Sequence, residues 1–231
     1  LPDRLLLATN NAGKVREYRS LLSELPLKLV LPGELGINAG VDEVGSSLEE
    51  NARLKATTLA KESGLLALAD DSGLEVEVLG GEPGPLSARY AGEGASDKER
   101  VEFLLAKLKG VPWEKRTARF RCVIAIAEPE GEVELCSGEC HGFITFEPKG
   151  EKGFGYDPVF YFPGLDQTMA ELPLDIKNKV SHRGEAAREA VKIITYDRTF
   201  RFLPAADKLP AHLGHRPLQP ALYLLHAHRR G

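Results

Sequence analysis

Two adjacent carboxylates, Asp70 and Asp71, follow an apolar run at 66–69 and lead into Ser72 and Gly73. Like charges side by side repel one another, so the pair demands a cation or a network of hydrogen-bond donors around it. An all-oxygen site suits Mg²⁺ or Mn²⁺, and Mg²⁺ completes its shell with water and phosphate oxygens. The competing reading is a loop in which Asp and Ser act as turn formers. What bears on the choice is whether groups able to hold phosphate occur elsewhere in the chain.

Thr9-Asn10-Asn11-Ala12-Gly13-Lys14 supplies one such group. It follows a short apolar run at 5–8 and precedes Val15, Tyr18, Leu21 and Leu22, apolar residues at helical spacing. A strand, a small polar loop and a helix N-terminus together bind anions, because backbone N–H groups and the positive end of the helix dipole converge there. Lys14 adds a full charge. The loop is not a Walker A sequence, which requires G-x-x-x-x-G-K-[ST]. Further on, Ser47 and Glu50 fit a capping box that opens a helix reaching to about Ser63. Asn51 and Lys55, four residues apart, share one face of that helix beside an apolar stripe of Leu48, Ala52, Ala56 and Leu59. By itself Lys55 would snorkel from the stripe; beside Lys14 and the aspartates it becomes a phosphate ligand.

Two later segments complete the set. Gly153-Phe154-Gly155-Tyr156-Asp157-Pro158 offers two aromatic faces on a glycine-flexed turn, and stacking a base on such a face is worth about 1–3 kcal/mol. The alternative is that Phe154 and Tyr156 close the core. Ser181-His182-Arg183 stands just ahead of an amphipathic helix at 185–194, so its donors face whatever fills the site; alone, His182 reads as a structural histidine.

The elements that must bring these segments together alternate between strand and helix early and then become strand-rich. Ser96 with Glu99 caps a helix over 97–109, which Gly110 and Pro112 end. Strands over 119–127 and 132–141 join through a hairpin loop at 128–131, and a short strand covers 159–162. Thr168 with Glu171 repeats the capping-box signal.

Thr9-x-Asn11-x-x-Lys14-x-x-Glu17, Glu50-Asn51-x-x-x-Lys55-Ala56, Ala69-Asp70-Asp71-Ser72-Gly73-Leu74, Phe154-Gly155-Tyr156-Asp157-Pro158 and Ser181-His182-Arg183-Gly184 closely resemble, in this order, the inosine/xanthosine triphosphate pyrophosphatase family. The likeness covers residues 4–195 and takes in Ser87-Ala88-Arg89-Tyr90 and Met169-Ala170-Glu171-Leu172. It implies hydrolysis of ITP, dITP and XTP to the monophosphate and pyrophosphate, with Mg²⁺ as cofactor, Mn²⁺ able to replace it, and a homodimer as the working form. The implied fold is α/β, a long mixed central sheet flanked by helices, in two lobes with the active-site cleft between them. Asp71 is the expected base beside the metal, orienting or deprotonating a water aimed at the α-phosphorus, with Lys55 as its catalytic partner. Asp70, Asp42 and Glu43 are further metal candidates; the family places an acidic ligand near the last two. Substrate contacts are expected from the whole Thr9-Asn10-Asn11-Ala12-Gly13-Lys14 loop, Asn51, Ser72, the Phe154-Gly155-Tyr156-Asp157 turn, Lys177, His182 and Arg183. Hypoxanthine and xanthine carry a 6-keto acceptor where adenine carries an amino donor, so donors from Arg183, His182 or nearby backbone favour the keto bases. Two alternatives remain open: a pyrophosphatase for another modified nucleotide, and a regulatory module that binds nucleotide without turnover.

Composition agrees with an enzyme of this size. The 231 residues are 42% hydrophobic, enough for a full core. No apolar run approaches the ~20 residues of a membrane span and no signal segment is evident, so the expected location is the cytoplasm without membrane contact. Cys122, Cys136 and Cys140 are an odd number and form no disulfide framework. Residues 198–231 differ in character: they hold four of the six histidines and six Lys/Arg against one acid, while the remainder carries 24 basic and 33 acidic residues. The expected organisation is a pyrophosphatase domain over 1–197 and a Pro/His/Arg-rich extension over 198–231 of unassigned role. An acidic body and a basic tail without interleaved aromatics argue against a nucleic-acid partner.

Overall fold

The computed structural model describes residues 3–37, 40 and 45–201, with backbone alone for 196–201. Asp42, Glu43 and residues 202–231 therefore lie outside the described residues. Strand β1 (Arg4–Leu7) runs parallel to β2 (Lys28–Val30) on one side and to β3 (Ala67–Val76) on the other. Helix α1 (Ala12–Leu21) carries the crossover from β1 to β2, and α2 (Leu48–Ser63) leads into β3 on the opposite face of the sheet. The chain thus leaves β1 toward one neighbour and returns beside the other. In open α/β sheets such a switch point, beyond the carboxyl end of the strand, is where ligands bind.

From β3 onward the sheet is antiparallel. Strand β4 (Pro83–Gly84) pairs with the end of β3, β5 (Thr117–Ala127) pairs along its whole length, and β6 (Val133–Ile144), β7 (Phe160–Phe162) and β8 (Gln167–Thr168) follow. The spatial order is β2-β1-β3-β5-β6-β7-β8. Helices α3 (Asp97–Lys107), α4 (Leu174–Val180) and α5 (His182–Arg201) complete the mixed α/β architecture that the sequence implies. Among the described residues no helix is long and apolar enough to cross a membrane.

Strand β3 corrects the loop reading of the carboxylate pair, since the chain runs extended through Asp70 and Asp71 without turning. Every residue from Ala67 to Val76 has a partner on β5, so ladder pairing carries the chain through. The period of two then separates the neighbours. Asp70 pairs in register with Ile124, a member of the core under α1 and α5, and Asp71 with Val123, a member of the core under α2. Two adjacent carboxylates serve opposite faces of one sheet.

Three apolar clusters divide the interior: one beneath α1 and α5, one beneath α2, and a distal one holding Leu104 of α3, Phe120, Phe160 and Tyr156. The cleft opens where the proximal clusters meet the distal one. Three expected helix boundaries shift, the first being α3, which ends at Lys107 with Leu108 as its cap and not at 109. The Thr168 and Glu171 signal forms its hydrogen bonds, Thr168 N to Glu171 Oε2 at 2.7 Å and Thr168 Oγ1 to the same atom at 3.1 Å, yet no helix follows until Leu174. Pro173 lacks an N–H and disfavours helical backbone at Leu172. The last helix begins earlier than 185, at His182, with Ser181 as its cap: Gly184 N donates to Ser181 Oγ at 3.1 Å. Gly138 on β6 lets that helix start so close to the sheet, because a Cβ there would collide with the carbonyl of His182.

Candidate active site

The phosphate end is built where β1 runs into α1. Asn11 caps the helix with Oδ1, accepting from Gly13 N at 2.9 Å and Lys14 N at 3.1 Å. These two N–H groups, expected to face an anion, are thereby taken, and neither Ala12 nor Gly13 lines the cleft. Gly13 instead underlies the Phe154 ring, which a Cβ would strike. The helix dipole and Lys14 Nζ remain as the cationic elements of this end. Lys14 Nζ lies 3.3 Å from the carbonyl oxygen of Asp70, and Lys55 Nζ reaches the same oxygen at 3.0 Å. The lysines of α1 and α2 thus converge on one peptide group of β3.

On the α2 face, Asp71 receives Asn51 Nδ2 on Oδ2 at 3.1 Å and Lys55 Nζ on Oδ1 at 3.3 Å. Asn51 is fully buried behind Asp71, not in the cleft wall, and its Oδ1 accepts from Gly45 N at 2.9 Å, which fixes the amide's orientation. Asp71 itself borders the cleft with Lys55, Lys14, Thr9, Asn10 and Ser72. Among the described residues no group of three or more His, Cys, Asp or Glu is placed to hold a metal ion. Asp71 is a hard oxygen donor at the cleft wall and would share such an ion with phosphate, water or residues outside the described set.

Asp70 is placed differently from the metal contact expected of it. Its side chain is fully buried, with Lys14 Nζ 3.1 Å from Oδ1 and Arg183 Nε and Nη2 both 3.3 Å from Oδ2. Burial alone would raise its pKa, but Lys14, then Arg183 and Lys55, hold it well below the usual carboxylate range. The ion pairs continue inward. Arg183 Nη1 donates to Glu17 Oε2 at 2.7 Å, Lys177 Nζ to Glu17 Oε1 at 2.7 Å, and Lys177 Nζ also meets Asp157 Oδ2. The result is an alternating buried chain from Lys14 through Asp70, Arg183, Glu17 and Lys177 to Asp157, linking the phosphate end to the base end. Glu17 was quoted in the first motif without a role, and it proves to be the central bridge.

At the base end the two aromatics of the 153–158 turn divide. Phe154 faces the cleft, with Lys177 Nζ 5.1 Å and the Arg183 guanidinium carbon 5.4 Å from its ring centre. Tyr156, only 5% exposed, belongs to the distal core and donates from its hydroxyl to Ser87 O at 2.9 Å, although its edge borders the cleft. Arg183 has five N–H donors, of which Nε, one on Nη1 and both on Nη2 are engaged by Asp70, Glu17 and Ser72 Oγ. Among the described residues the second Nη1 hydrogen has no acceptor. His182 stacks on Phe120 with centroids 4.7 Å apart and planes 14° apart, and among the described residues its buried Nδ1 has no hydrogen-bond partner. Leu74, Pro85, Ser87, Ala88, Phe120 and Arg100 also line this end. Leu74, Ser87 and Ala88 stood in segments quoted for the resemblance but were given no role at the site, and Pro85, Phe120 and Arg100 lie outside those segments, where nothing in their local spacing signals a cleft.

Burial, then Arg183 and Lys177, hold His182 well below its ordinary value of 6.5, so it is neutral in the folded protein. The unfolded chain takes up that proton first. The stability contributed by neutral His182 is complete above pH 6.5 and drains away as pH falls from there toward the folded value. Glu17, like Asp70, is lowered: burial raises it, but Arg183 and Lys177 outweigh burial. Their contributions persist until pH falls below the ordinary 3.8 and 4.5. Acidification is therefore expected to lower stability in two stages, the first approaching ~1.4 kcal/mol per pH unit and absent in His182→Gln. Thermal melts from pH 7 down to about pH 2 check both stages. A wild-type profile that stays flat from pH 6.5 to 5 contradicts it.

Comparison with known proteins agrees with this layout. Residues 5–193 match the Ham1 family. A protein of Desulforamulus reducens named dITP/XTP pyrophosphatase is 51% identical over 191 residues, which is 83% of this chain and 95% of the relative. One of the same name from Escherichia coli O157:H7 is 50% identical over 188 residues, 80% of this chain and 95% of the relative. Among solved structures, a Ham1 protein from Coxiella burnetii superposes with a TM-score of 0.76 at 41% identity, covering 84% of this chain and 98% of the other. Given a match across nearly all the described fold, with every motif-bearing segment of the cleft inside it, the chain belongs to the Ham1 family.

Proposed function

We propose that this chain hydrolyses non-canonical purine nucleoside triphosphates, ITP, dITP and XTP, to the nucleoside monophosphate and pyrophosphate. The observation that carries the reading is one cleft of about 300 Å³ lined by Lys14, Lys55 and Asp71 together with Phe154, His182 and Arg183. A nucleoside triphosphate needs cations for its phosphates and an aromatic face with a few placed donors for its base in one site. The names of the relatives agree with it.

In this reading Lys14 and Lys55 offset the charge of the phosphates. Asp71, held at both carboxylate oxygens by Asn51 and Lys55, orients a water toward the α-phosphorus and takes its proton as the P–O bond to pyrophosphate breaks. Mg²⁺, held by Asp71 with Asp42 or Glu43, would neutralise phosphate charge and lower the pKa of a bound water; Asp70 is left out of that set because Lys14 and Arg183 already occupy it. Phe154 carries the base, and the remaining Arg183 N–H favours a 6-keto group. Lys55 and Asp71 lie 3.3 Å apart at the cleft wall, which favours turnover over binding alone. Cytoplasmic location and a homodimer belong to the same proposal, as does the division into a catalytic domain at 1–197 and an extension at 198–231. The backbone of α5 runs past that boundary to Arg201.

The product decides the matter. With ITP or XTP and Mg²⁺, equal amounts of monophosphate and pyrophosphate are expected from chromatography of the reaction. Orthophosphate with the diphosphate would place attack at the γ-phosphorus and overturn the arrangement.

A further inference from the structure

We propose that Asp97 is a positioning residue for base recognition, acting from the first turn of α3 through the Gly155 N–H to fix the turn that carries Phe154 and Asp157. This rests on the reading of the cleft given above. Gly155 N donates to Asp97 Oδ2 at 2.6 Å, a bond that joins residues 58 apart in the chain. Gly155 has φ of +61°, a conformation that side chains disfavour, and Asp97 takes the N–H that this conformation presents. A carboxylate acceptor makes such a bond stronger than a neutral one.

The acceptor is itself held. Ser96 Oγ accepts from Glu99 N at 3.3 Å and Glu99 Oε2 accepts from Ser96 N at 2.7 Å, so the first turn of α3 is capped in both directions. Arg100 pairs with Asp97 Oδ1 and donates to the carbonyls of Ala88, at 2.9 Å, and Ala95. Those carbonyls belong to the segment that follows β4. The same segment ties the turn a second time through Ser87 O, which accepts from Tyr156 OH at 2.9 Å. Inside the turn, Asp157 Oδ2 accepts from Phe154 N at 2.8 Å. Phe154 is thus locked from within by Asp157 and from outside by Asp97. Asp97 does not line the cleft, whereas Arg100 does.

Holding the turn in place before substrate arrives removes an ordering cost from binding and leaves the chemistry at Asp71 untouched. Asp97→Ala is therefore expected to raise KM for ITP about tenfold with kcat changed less than about twofold, and Asp97→Asn, which keeps an acceptor oxygen without the charge, to recover part of the loss. In a Phe154→Ala background, Asp97→Ala is expected to add less than about a further twofold, because its effect is transmitted through that ring. Circular dichroism verifies folding, and the Asn variant carries the test if the Ala variant is unstable. Unchanged KM in Asp97→Ala, a loss confined to kcat, or effects that multiply in the double variant would each overturn the assignment. If Phe154→Ala itself leaves KM for ITP unchanged, the reading of the base end fails. If Phe154→Ala raises KM while Asp97→Ala does not, only the role of Asp97 fails.

Discussion

Asp71→Asn is expected to lower kcat by about 10³-fold or more, since it removes both the base and the negative charge at the cleft wall. The fold should survive. Asp71 sits in the middle of a strand paired throughout with β5, and Asn fills the same space. The cost arises from hydrogen bonds: Asn51 Nδ2 and Lys55 Nζ both donate to the carboxylate, and an amide offers only one acceptor oxygen. One lost partner costs about 1–3 kcal/mol, and Lys55 still has the carbonyl of Asp70 at 3.0 Å. For a domain of this size Tm should drop by no more than about 10 °C. Initial rates on ITP at saturating Mg²⁺, measured alongside a melting curve, separate the two effects. Turnover near the wild-type rate would remove Asp71 from the centre of the reaction.

Local spacing makes part of this site legible in the sequence. Asn51 and Lys55 lie one helical turn apart, and a helix keeps such pairs on one side, so their shared face followed from the sequence, whereas Asn51's place behind Asp71 did not. The placement of Lys14 at the head of α1 followed from the apolar periodicity after it. The carboxylate pair was harder, because adjacency along the chain suggested a shared site. Ladder pairing with β5, some 50 residues away, keeps the strand extended, and extension puts Asp70 and Asp71 on opposite faces. The role of Glu17 was hidden for the same reason: its partners Lys177 and Arg183 are 160 and 166 residues away. Phe154 and Tyr156 looked alike in sequence, and only the distal core, which takes one ring and leaves the other, tells them apart. Asp97 carried a signal for a helix start and nothing more, since the acceptor it supplies to Gly155 depends on how α3 meets a turn 58 residues on.

Arg183→Ala is expected to cost ~3–5 kcal/mol of stability, the range for removing one partner from a buried ion pair. Arg183 is 2% exposed and makes four hydrogen bonds, two to Asp70 Oδ2, one to Glu17 Oε2 and one to Ser72 Oγ. Without it, the fully buried Asp70 keeps Lys14 at 3.1 Å and Glu17 keeps Lys177 at 2.7 Å, but Lys177 is already shared with Asp157. The ion chain then holds three carboxylates, Asp70, Glu17 and Asp157, against two lysines, Lys14 and Lys177. A drop of Tm by about 10 °C or more should follow, together with a substrate preference that no longer reports on base reading alone, because the whole ion chain has been disturbed. Arg183→Lys, which keeps the charge and loses the fork, is the cleaner probe of the base edge, and it should lower the ratio of kcat/KM for ITP over ATP while costing less stability. The decisive control is Glu17→Gln combined with Arg183→Ala. Neutralising Glu17 removes the surplus charge, so the double variant should melt higher than Arg183→Ala alone, even though it carries one more substitution in a buried network. If the double variant melts lower instead, the loss in Arg183→Ala comes from packing, and the alternating chain does not hold the core in the way its geometry indicates.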